Sequence, residues 1–150
     1  MVKKSKSGSN ADPIEILVSL RKSALKYRSN APPGKRRFGL HKYLAQIYRI
    51  YWHHRSKRNF ERIVREIAEL AEIRVRKNTH AFRVLIDATV GPEDPKQKSR
   101  WVQALQYVDG WKLPPEKVAW VFHSNKGVYG CARKQALLNK AARAKRDTWF

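Results

Sequence analysis

Twelve lysines and arginines stand between Glu15 and Glu61, a run of 45 residues without a single carboxylate. Like charges at helical spacing repel one another, so soluble surfaces ordinarily mix both signs. A stretch of one sign this long is suited to a polyanion, and nucleic acid is the commonest polyanion a protein meets. Within the run, Lys35, Arg36 and Arg37 form one cluster, and Arg55, Lys57 and Arg58 form another. If a helix joins them, the clusters lie roughly 25 Å apart at 1.5 Å per residue, about seven base pairs of duplex. Both could hold one phosphate backbone, contributing affinity and register but little sequence information.

A second basic element lies near the C-terminus. Arg133, Lys134, Lys140, Arg143, Lys145 and Arg146 follow one another with no acid before Asp147. They sit on an expected helix of about 128–146. The turn Asn125-Lys126-Gly127 joins it to a shorter expected helix at 115–124. A short glycine-containing turn between a modest helix and a longer basic one is the outline of a helix-turn-helix. On that reading Tyr129, Arg133 and Lys134 lie nearest the base edges, and Arg133 can bond guanine O6 and N7 bidentately. Lys140 and Arg143, further along, would take phosphates.

Chemistry on a bound substrate has little to work with. There is no glycine-rich phosphate loop, nucleophile elbow or paired-carboxylate motif. Asp87, in the apolar setting Leu85-Ile86-Asp87-Ala88, and the pair Glu93-Asp94 are the only carboxylates to consider for metal-dependent nuclease work. A cap or an arginine partner is the more ordinary role for Asp87. Adjacent His53 and His54 point about 100° apart on a helix, and His41, His80 and His123 lack Cys, Asp or Glu at ligand spacing, so no metal site is expected. The single cysteine, Cys131, rules out an internal disulfide and reads as a small buried hydrophobe.

The elements that must position these residues read as helices. Asp12-Pro13 with Glu15 opens the first as cap, first turn and capping-box partner, and Ile14, Leu17, Leu20, Ala24 and Tyr27 continue it to about Arg28. Prolines and glycines make 29–39 a loop. Leu40, Tyr43, Leu44, Ile47, Tyr48 and Tyr51 then give the strongest helical stripe in the chain. A third helix starts near Asn59 with Phe60, Ile63, Val64, Ile67 and Leu70 inward, and with Glu61, Glu66, Glu69 and Glu72 forming local pairs with Arg62 and Arg65. Residues 73–90 carry two patterns, a helix that Thr79 could cap or a basic hairpin over 73–87. The helix is preferred. Asp94-Pro95 opens a helix with Trp101, Ala104, Leu105 and Val108 inward, ending at Asp109-Gly110.

One hundred and fifty residues can bury a real core, and five tryptophans argue for a folded domain. The net charge of +21 is spread over both halves, 15 bases to 2 acids in 1–60 and 18 to 10 in 61–150. No apolar run approaches membrane-spanning length, and the basic start Met-Val-Lys-Lys-Ser-Lys lacks the apolar core of a signal peptide. The expectation is a mainly α, single compact multi-helix domain over 12–150 with a helix-turn-helix-like C-terminal pair, preceded by a flexible basic tail over 1–11. It would be a non-enzymatic DNA-binding protein, cytoplasmic and nucleoid-associated, acting as a regulator of transcription or an accessory factor. It would need no cofactor, and it could work as a homodimer. The alternative partner is RNA, against which the burial expected for Tyr43, Tyr48 and Tyr51 counts, and the third is an acidic protein for which this chain is an adaptor.

Overall fold

The computed structural model describes residues 12–29, 36–55, 59–77, 79–90 and 94–148, without the side chains of 27–29, 36–38 and 147–148. Seven α-helices account for most of them: α1 (Pro13–Ser29), α2 (Arg36–His54), α3 (Phe60–Leu70), α4 (Ala81–Val90), α5 (Pro95–Gly110), α6 (Val118–Ser124) and α7 (Gly127–Thr148). A 3-10 turn, Pro115–Lys117, leads into α6. There is no strand among the described residues, so the hairpin over 73–87 is not formed. Residues 73–77 and 79–80 are irregular and α4 supplies the helix. The basic tail over 1–11 lies outside the described residues.

Capping chemistry sets several of the ends. The Asp12 carboxylate accepts the Ile14 amide proton at 3.0 Å, and Asp94 accepts that of Lys96 at 3.1 Å. Each satisfies a donor that the first turn of a helix leaves without a partner. Asn59 precedes α3 but makes no side-chain capping bond. At α4 the cap is His80 rather than Thr79. Its Nδ1 accepts the Phe82 amide at 3.1 Å, and its ring stacks on Phe82 at 4.8 Å.

Helix α2 begins at Arg36, so Arg36 and Arg37 are its first residues and not part of a loop. Gly39 stays helical despite an intrinsic cost of about 1 kcal/mol, because the turns that follow bury Leu40, Tyr43 and Leu44. Two inward expectations fail. Ile14 is 55% exposed, since α1 first reaches the core at Leu17, and Leu70 is 47% exposed at the end of α3, where the chain turns away through Ala71 and Glu72. The α3 glutamates close no ion pair among the described residues.

All seven helices contribute to one buried core, centred on Tyr43, Tyr48, Phe82, Trp101 and Phe122. The hydroxyl of Thr89 gives its proton to the Leu85 carbonyl at 2.7 Å, so Thr89 is the acceptor when it meets the Tyr43 hydroxyl. Tyr48 donates to the Leu113 carbonyl at 2.7 Å, and Tyr51 donates to Asp109 at 3.0 Å, fastening α2 to the end of α5. Burial first, and then Asp109, raises both phenols above their ordinary range, which keeps them donors.

Cys131 is fully buried on α7, its thiol donating to the Val121 carbonyl at 3.8 Å. Burial raises its pKa from 9.0 to about 11. At pH 8 about one thiol in a thousand is then ionised, and alkylation of the native protein should be slow compared with that of the denatured chain. The unfolded thiol ionises first, so this group costs stability as pH climbs past 9.0. Rapid labelling of the native protein at pH 8 would contradict this packing.

Candidate nucleic-acid interface

The basic C-terminal helix is held by a rigid turn. Lys126 and Gly127 are both left-handed, with φ of 64° and 83°, and they reverse the chain between α6 and α7. Asn125 braces the reversal from both sides. Its amide donates to the Val121 carbonyl at 2.7 Å, and its Oδ1 accepts from Lys134 Nζ at 2.7 Å. Gly130 comes so close that a Cβ there would sit 1.7 Å from the Asn125 carbonyl oxygen. Only glycine fits.

Helix α7 packs along α5, the most extensive helix pair in the fold. The two run in the same direction: the Arg100 guanidinium lies 5.3 Å over the Tyr129 ring, and further on Tyr107 and Gly110 share a groove with Gln135 and Leu138. Val128, Cys131 and Ala132 are buried, whereas every residue from Lys140 to Arg146 is exposed. The second half of α7 is thus presented to solvent.

Tyr129, Arg133, Ala136, Lys140 and Arg143 follow at spacings of four, three, four and three residues, which places them on one face of α7. That face is about 21 Å long at 1.5 Å per residue. Tyr129 is half-exposed, and Arg133, Lys140 and Arg143 are exposed. Lys134 lies on another side: it is held by Asn125 and lines an apolar groove with Trp111, Leu137 and Leu138, which are 62%, 62% and 56% exposed. The structure therefore brings Tyr129 and Arg133 together and sets Lys134 apart from them.

Comparison with protein-family models, with curated proteins and with solved structures finds no match to this chain.

Of the phosphate contacts expected around α2, Lys35, Lys57 and Arg58 lie outside the described residues, as do the side chains of Arg36 and Arg37. Arg55 is exposed and lies 3.7 Å over the Trp52 ring, a cation–π contact that fixes its direction. Asp87 is the arginine partner expected of it: Arg83 Nε approaches at 3.2 Å and Lys98 Nζ at 3.0 Å. Lys98 is itself buried, so this pair sits at the margin of the core. Among the described residues no group of three His, Cys, Asp or Glu side chains could hold a metal ion.

Arg100 is the residue of this face that the sequence reading missed. With Gln103 and Gln106 it marks every third position on the polar side of α5. That spacing was the available signal, overshadowed by the denser charge of α7.

Proposed function

We propose that this protein binds duplex DNA without catalysing a reaction on it, and that α7 is the element that meets the groove. The observation that carries the reading is the exposed, acid-free face Tyr129–Arg133–Ala136–Lys140–Arg143 with Arg100 beside its first turn. The short α6, the rigid reversal at Lys126-Gly127 and the long basic α7 are together a helix-turn-helix-like arrangement. Its reading end is Tyr129 and Arg133, with Lys140 and Arg143 on phosphates further along. Arg36, Arg37 and Arg55, at the two ends of α2, are assigned to a second phosphate-binding surface. On the other side of α7, Trp111, Leu137 and Leu138 offer the apolar surface on which a second copy would seat. No described helix is long and apolar enough to cross a membrane, and a regulatory or accessory role at the nucleoid follows from the DNA reading.

Selection of preferred sites from a random duplex pool tests the division of labour. Arg133→Ala should relax the selected sequence, whereas Arg36→Ala with Arg37→Ala should weaken all duplexes about equally. Small, equal effects from both would mean that the binding faces are misplaced. RNA is the second reading, favoured by the exposure of Tyr129, Trp111 and Trp120, since unpaired bases stack on surface aromatics. Against it, Tyr43 and Tyr48 are completely buried, whereas Tyr51, also expected inside, is only partly so.

A further inference from the structure

An open cleft of about 620 Å³ lies between residues 73–76 and 79–80 on one side and helices α4, α5 and α7 on the other. Its volume falls in the range of roughly 300–1,000 Å³ typical of small-molecule sites. Three arginines line it. Arg83 is fixed, with Nε on Asp87 at 3.2 Å and Nη1 on the Ser99 hydroxyl at 3.2 Å. Arg74 and Arg76 are exposed and have no carboxylate within 4.0 Å among the described residues. The Asp87 charge is already matched by Arg83 and Lys98, so the two outer guanidiniums remain free for an anion. Their planar forks suit phosphate oxygens.

The rest of the lining is not that of a simple anion site. Gln103 and Gln106 project into it from α5, and neither amide has a hydrogen-bond partner among the described residues. Asn139 faces them from α7, its Oδ1 accepting from Gln135 at 2.9 Å, which leaves its amide protons for a ligand. Side-chain amides pair donor and acceptor as base edges do. Ile73, Val84 and Val102 supply apolar walls for a planar ring. His80 adds an exposed imidazole, with its Nδ1 bonded to the Phe82 amide, so its Nε2 carries the proton in the neutral ring. Desolvation of the ring face that stacks on Phe82 lowers its pKa, which favours the neutral form.

We propose that this cleft binds one phosphorylated nucleoside, with the phosphate on Arg74 and Arg76 and the base edge on Gln103, Gln106 and Asn139. The ligand can be a free nucleotide or an unpaired nucleotide of a bound strand. The second source rests on the nucleic-acid reading above, and the first does not. A path for the second exists, because Gln103 also lines the shallower groove formed by Arg100, Tyr129 and Arg133.

The test uses the full chain and titrates it with the nucleoside monophosphates, with inorganic phosphate, with a paired duplex and with the same duplex carrying one unpaired nucleotide. Binding is read by calorimetry and by the His80 ring signals. At least one monophosphate should bind about tenfold or more tighter than inorganic phosphate. Arg74→Ala with Arg76→Ala, exposed positions whose loss does not threaten the core, should weaken it about tenfold. Gln103→Leu should change the ranking of the bases. Preference for the duplex with an unpaired nucleotide identifies a strand as the source, and monophosphate binding without that preference identifies a free nucleotide. Equal affinity for nucleotide and phosphate, or nucleotide binding indifferent to the arginines, overturns the proposal. So does failure of both nucleotides and the unpaired site while the paired duplex still binds, and that outcome leaves the duplex reading standing. Nucleotide binding without duplex binding would do the reverse.

Discussion

Replacing Gly130 by alanine should destabilise this protein by about 3 kcal/mol or more and remove its nucleic-acid binding with it. The new Cβ would stand 1.7 Å from the Asn125 carbonyl oxygen and 2.9 Å from its carbon. Those are backbone atoms, so no rotamer change relieves the overlap. Relief requires the α6–α7 reversal to open, and that reversal carries the bond from Asn125 to Val121 and its contact with Lys134. Burial of Val128, Cys131 and Ala132 depends on the same geometry. Gly110→Ala is the matched control, because a Cβ there meets nothing within 4 Å. It should be neutral or stabilising by up to about 1 kcal/mol, since glycine costs helices that much. Denaturant unfolding of both variants decides the matter, and similar midpoints would show that the turn is looser than described.

The second large effect is on binding. Arg133→Glu with Lys140→Glu should lower duplex affinity by about 100-fold near 0.1 M salt, or about 2.7 kcal/mol. Lys22→Glu with Lys26→Glu changes the net charge by the same four units on exposed positions of α1. Long-range attraction falls equally in both variants, so the difference between them reports where the DNA lies. The α1 pair should cost no more than about fivefold at this salt, because beyond the Debye length of about 10 Å exposed charges are largely screened. Equal losses would mean that binding follows net charge alone and has no preferred face.

Much of the helical plan was legible in the residues. Asp12 and Asp94 work as the caps their spacing promised, and Trp101, Ala104, Leu105 and Val108 are buried as the periodicity required. The misread parts are those where tertiary burial overrides local preference. Gly39 looked like a breaker, yet it lies within α2 because the core rewards the turns around it. Residues 73–76 alternate like a strand yet form none, and the helix preferred for 73–90 starts only at Ala81. The basic face of α7 could be drawn from spacing alone, but its contact with Arg100 could not. The cleft was less legible still: Arg76, Gln103 and Asn139 are far apart in the chain, and only the packing of residues 73–76, α5 and α7 around one cleft brings them together. Lys98 shows the same limit, as a lysine whose burial depends on a carboxylate eleven residues earlier.

The most direct test of the central claim is a salt-titrated competition of the intact protein among random duplex DNA, single-stranded DNA and structured RNA. If the α7 face and the ends of α2 contact six to eight phosphates together, log K for duplex should fall against log salt with a slope of roughly −5 to −7. Duplex should also be the preferred competitor. A slope near −1 or −2, or a clear preference for RNA, would contradict the account.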